Sequence, residues 1–177
     1  MPRFEIDLNP AQHITTDAIG QPGQRVFYLQ GWRAADPKPV TIIIEKIQLQ
    51  ALAASVDQMI AEIVRQKPDQ TIPVVEVDPE KMRITPPVDP LFRAGELGLG
   101  YDANTNLIII LAREVLVEGD DPDKAAEVRF WCTAAQLRCL AEWGKQVIER
   151  GRPLCPLCGQ PMDPEGHFCP KKNGHKH

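Results

Sequence analysis

The chain has 177 residues, 43% hydrophobic and 25% charged, with a net charge of −4 and five cysteines. That composition supports a packed core and excludes low-hydrophobicity disorder. No apolar run approaches the ~18 residues of a membrane span, and an acidic chain is a poor general binder of nucleic acid. The opening MPRFEIDLNP carries no apolar signal region, so a cytoplasmic protein is expected, without membrane association. In that reducing compartment, cysteines read as metal ligands or buried thiols more readily than as disulfides. Charge is unevenly spread: from Arg150 onward the tail carries +3 and the remainder −7.

Gln24–Trp32 and Pro39–Lys46 are rich in Val, Ile, Phe and Tyr and read as strands. Before the first, Gln21-Pro22-Gly23-Gln24 forms a turn in which Pro presets φ and Gly accepts a positive φ. Asp36-Pro37-Lys38 turns between the two. The period then changes: Leu49, Leu52, Ala53, Val56, Met59, Ile60, Ile63 and Val64 repeat at helical spacing until Lys67-Pro68 ends the run. Segment 68–90 is rich in proline and reads as a linker.

Leu91–Tyr101 and Asn106–Val117 are predicted strands around an Asp102–Thr105 turn. Asp121-Pro122 then leads into a third strand, Ala126–Cys132. Thr133 and Gln136 have the spacing of a capping box, opening a helix with Leu137, Leu140, Ala141, Val147 and Ile148 on one face. The helices QLQALAASVDQMI and QLRCLAEWGKQVI match at six of thirteen positions. The expected fold is therefore α+β. Two repeated β-β-β-α units (4–67 and 91–150) would form an antiparallel sheet with two packed helices in a domain spanning 1–150. A small zinc knuckle follows in 151–177.

That tail carries the sharpest motif. In Cys155-Pro-Leu-Cys158-Gly159 two thiolates spaced by two residues can chelate one ion, with Gly159 permitting the unusual backbone. A four-cysteine ribbon would place its last cysteine at position 172, which holds Lys172. The favoured ligand set is Cys155, Cys158, His167 and Cys169, with His175 as the alternative fourth ligand. Four protein ligands close the shell, so the expected Zn2+ is structural.

The remaining chemistry-bearing residues have plainer readings. Cys132 and Cys139 read as small buried hydrophobes, and Trp131 and Trp143 as core or interface. Ser55, the single serine, lies outside any nucleophile elbow. His13 has no partner suggested by the sequence. Glu118–Asp123 is a solvated acidic turn. Gly95–Gly100 lacks dinucleotide-binding spacing and reads as a strand with Leu97, Leu99 and Tyr101 inward; Gly98 and Gly100 would admit close packing.

Three stretches resemble an uncharacterised bacterial family known only as a domain of unknown function. They are the Pro-Gly turn with its Phe-Tyr-Leu-Gln strand (Pro22–Gln30), Glu-Lys-x-Gln before the first helix (Glu45–Gln48), and the cysteine-rich tail (Arg152–Pro170). The resemblance covers nearly the whole chain and implies that Cys155, Cys158, His167 and Cys169 belong together. It implies no activity. The expected function is a non-enzymatic binding or adaptor protein, docking another protein through the basic tail; nucleic acid is a less favoured partner. The alternative is an enzyme acting on a phosphorylated or nucleotide-like small molecule between the repeats, using Glu45, Glu96, Glu114, Arg25 and Arg93.

Overall fold

The structure is a computed structural model that describes residues 2–74, 76–151, 155–159, 162 and 168–172. Among the described residues, seven strands make two sheets. Strands β2 (Ala11–Ile19), β3 (Val26–Arg33) and β4 (Val40–Ile44) form an antiparallel meander, followed by helix α1 (Lys46–Gln66). After the short helix α2 (Pro79–Met82), strands β5 (Ala94–Asp102), β6 (Leu107–Glu114) and β7 (Glu127–Cys132) form a second meander, followed by α3 (Ala134–Glu149). The element order β-β-β-α thus occurs in each half of an α+β fold.

Local chemistry explains the element limits. Gln24 N–H donates to Gln21 O at 2.9 Å with Gly23 at φ +87°, the turn that the Pro-Gly pair dictates. The Asp102 carboxylate accepts from Asn104 N–H and Thr105 Oγ1, closing the β5–β6 hairpin. Helix α3 opens on the expected capping box, with Gln136 N–H bonding Thr133 Oγ1 and Thr133 N–H bonding Gln136 Oε1. Helix α1 begins at Lys46, inside the stretch read as strand, because Gln48 Oε1 reaches back to Glu45 N–H at 2.7 Å.

Strand β1 (Glu5–Leu8), not anticipated from the sequence, joins the second sheet in the order β1-β7-β6-β5 and pairs parallel with β7. Both meanders are antiparallel, as expected, and the added β1–β7 pair runs parallel. The two sheets meet where residues 91–93 run beside β4. Ile43 N–H donates to Phe92 O and Leu91 N–H to Thr41 O.

One apolar core serves both halves. Leu8, Ile14, Leu29, Ile42, Ile108, Ile110, Phe130 and Leu140 are among its fully buried members. Helices α1 and α3 pack together where Gly144 admits Leu49, and Trp143 Nε1–H donates to Thr16 O at 2.7 Å. The proline-rich segment docks on the first meander through polar side chains. Thr15 Oγ1 donates to Met82 O, Gln30 exchanges bonds with the backbone of Thr85, and Ile84 N–H reaches Asp17. Ile72 and Met82 of that segment are buried.

The glycines reverse one expectation. A Cβ at Gly100 would meet nothing within 4 Å, and at Gly98 only Leu111 Cβ at 4.0 Å, so neither marks close packing. Close approaches occur instead at Gly95, where a Cβ would lie 2.8 Å from Val115 Cα, and at Gly31, where it would lie 2.7 Å from the Phe130 ring and 3.2 Å from Leu8. The strand reading of Leu97, Leu99 and Tyr101 holds, since all three pack against the core.

Candidate metal centre and charged cleft

The tail begins where α3 ends. Residues 156–158 form a turn in which Gly159, at φ +73°, donates its N–H to Cys155 O at 2.8 Å. This reversal aims Cys155 and Cys158 to one side. Cys169, fourteen residues after Cys155, brings a third sulfur and leads into a 3-10 turn, Pro170–Lys172. The three Sγ atoms lie within 4.8 Å of one another, with Cys155 and Cys169 buried and Cys158 half-buried. Cys155 Sγ stands 3.8 Å from Cys169 Sγ, far beyond a disulfide bond.

Hydrogen bonds set the acidity of the Cys155 thiol. Burial pushes it up, but hydrogen bonds from the Cys158 and Leu157 backbone and from the Cys158 and Cys169 side chains outweigh that, lowering it to about 6. A thiolate is the ligating form, so such a cluster could hold a metal ion. His167 and His175, the expected fourth ligand and its alternative, lie outside the described residues. The other two cysteines behave as expected from the sequence. Cys132 is fully buried and its thiol is pushed up to about 12 by desolvation, while Cys139 is half-buried with its Sγ 3.9 Å from Met82 Sδ.

The charged residues considered for a ligand groove divide three ways. Arg25, Glu45 and Arg93 line a half-open cleft of about 590 Å³ at the junction of the two halves, bounded by Gly151 at the end of α3. Glu96 lies in a separate groove between α1 and β5, and Glu114 pairs with Arg3 at 2.7 Å. Lys46 joins the cleft as well, from the Glu-Lys-x-Gln stretch that opens α1. Arg25 is anchored there, donating to Val147 O at 2.7 Å and Ile148 O at 3.2 Å, with its guanidinium 4.7 Å from the Phe27 ring centre. Burial and then the neighbouring Arg150 lower its pKa, against a smaller opposing effect of Asp17. Cys155 follows Gly151 by four residues, so chain length alone keeps the sulfur cluster's first residue within ~14 Å of the cleft's edge.

Residues 6–169 match the family described as "Protein of unknown function (DUF3090)". The chain belongs to the DUF3090 family. No curated protein and no solved structure matches it. The family match spans the two meanders, both long helices and all three clustered cysteines. Among the described residues, no helix is long and apolar enough to cross a membrane.

Proposed function

We propose that this DUF3090 protein is a non-enzymatic binding or adaptor protein of the cytoplasm, built as a body (1–150) and a tail (151–177) folded around structural Zn2+. The carrying observation is the sulfur geometry. Zinc–thiolate bonds of ~2.3 Å arranged tetrahedrally place sulfurs ~3.8 Å apart, and Cys155 and Cys169 stand 3.8 Å apart. His167 is assigned as the fourth ligand, with His175 as the alternative. A shell of four protein ligands leaves no open position for substrate, so the metal's role is to hold the tail in shape. The held tail, with its net positive charge, would dock on an acidic surface of a partner protein. Nucleic acid is the less favoured partner, because the whole chain is acidic.

An enzyme acting on a phosphorylated small molecule would need an acid, base or nucleophile free to act in the cleft. The carboxylate placed there, Glu45, is already ion-paired to Arg93. Binding therefore explains the geometry better than turnover.

Elemental analysis of untagged protein tests this proposal, combined with affinity capture from native cells. One zinc per chain is expected. Cys155→Ala with Cys169→Ala should abolish both zinc and partner capture, while the thermal unfolding of the body remains. His167→Ala should lower zinc retention more than His175→Ala. Metal-free wild-type protein, or zinc retained in the double variant, would refute the assignment.

A further inference from the structure

The cleft between the halves gathers three cations, Arg25, Lys46 and Arg93, around one carboxylate, Glu45, in a chain whose overall charge is −4. Like charges held together in a concave, partly desolvated space repel one another and raise the local potential. The cations are not equivalent. Arg25 is fixed by its bonds to the α3 carbonyls and supplies a stationary charge at the back. Arg93 is tied to Glu45 in an ion pair about half exposed on both sides, the kind worth only ~0.2–1 kcal/mol and readily exchanged. Lys46 makes no hydrogen bond or ion pair among the described residues. It stands at the positive end of the 21-residue helix α1.

Counting those four groups, the cleft carries two uncompensated positive charges. A phosphate monoester, with close to two negative charges at neutral pH, balances them. Arg93 has the planar fork that engages two phosphate oxygens, and Lys46 is a mobile point charge. Pro22 and Val26, on the rim, give an apolar contact to whatever carries the phosphate. A volume of about 590 Å³ falls in the range of small-molecule sites. We propose that this cleft binds a small phosphate monoester, its phosphate received by Lys46 and Arg93 with Arg25 fixed behind it. The site is separate from the metal centre, and its binding does not depend on the adaptor role.

Calorimetric titration of the full chain with ribose 5-phosphate, inorganic phosphate and ribose tests the proposal. Ribose 5-phosphate should bind saturably and more tightly than inorganic phosphate, and ribose should give no saturable heat. Lys46→Ala and Arg93→Ala should each weaken binding ~10-fold or more, the scale of one lost charge-assisted hydrogen bond. Glu45→Asn removes the competing carboxylate and keeps a residue that caps helices well, so it should tighten binding. Thermal unfolding of each variant confirms that the fold is retained. Three results would overturn the assignment: no saturable binding of ribose 5-phosphate by folded wild-type protein, unchanged affinity in folded Lys46→Ala and Arg93→Ala, or equal affinity for inorganic phosphate. Zinc stoichiometry measured on the same samples keeps failure here distinct from failure of the metal assignment.

Discussion

Gly31→Ala probes the contact between the two sheets. The added methyl would stand 2.7 and 2.8 Å from Phe130 Cδ1 and Cε1 and 3.2 Å from Leu8 Cδ2, where carbon atoms normally rest ~3.5–4.0 Å apart. Neither neighbour has open space to move into, since Phe130 and Leu8 are both fully buried. Overpacking of this kind costs about 1–3 kcal/mol, partly offset by the ~0.5–1 kcal/mol gained when Ala replaces Gly within a strand. The net expectation is a loss of ~1–2 kcal/mol, read as a lower urea midpoint at unchanged slope. Gly100→Ala is the control. Its methyl meets nothing within 4 Å, so it should stabilise by ~0.5 kcal/mol. Adding Phe130→Leu to Gly31→Ala should recover part of the loss, with coupling of ~0.5 kcal/mol or more. If Gly31→Ala is as stable as Gly100→Ala, the sheets are not packed as described.

Other consequences follow from buried polar groups and thiols. Trp143→Phe removes the donor to the Thr16 carbonyl inside the core and should cost at least ~2 kcal/mol in urea unfolding. Burial lowers the His13 pKa below 6.5, opposed by its hydrogen bond to Lys81 O. The unfolded chain therefore takes up its proton first. His13's contribution to stability is full above pH 6.5 and declines as pH falls through the folded value. His13→Gln should make stability less sensitive to pH between 7.5 and 5.5. Cys132 should resist a thiol reagent at pH 8 until the protein unfolds, because it is buried and its thiol is pushed up to about 12. With the proposed zinc bound, the tail thiols should react slowly, and at once after a chelator removes it.

Features set by near neighbours in the chain were legible from residue order. Both long helices announced themselves through apolar spacing, and α3 also through its capping box, because helical bonds join residues four apart. The Pro22-Gly23 turn, the Asp102–Thr105 hairpin and the Cys155–Gly159 turn are likewise local, each closed within a few residues. Tertiary structure decided the rest. Strand β1 is four residues long and gains its pairing from β7, some 120 positions away, so no nearby pattern marks it. Thr15 and Thr16 look like surface residues, yet they are buried because Met82 O and Tyr28 O accept their hydroxyl protons. Gly31 is tight and Gly100 open for the same reason: what faces a glycine comes from another strand. The cleft likewise draws Arg25, Lys46 and Arg93 from separate segments, and only folding brings their charges to one place.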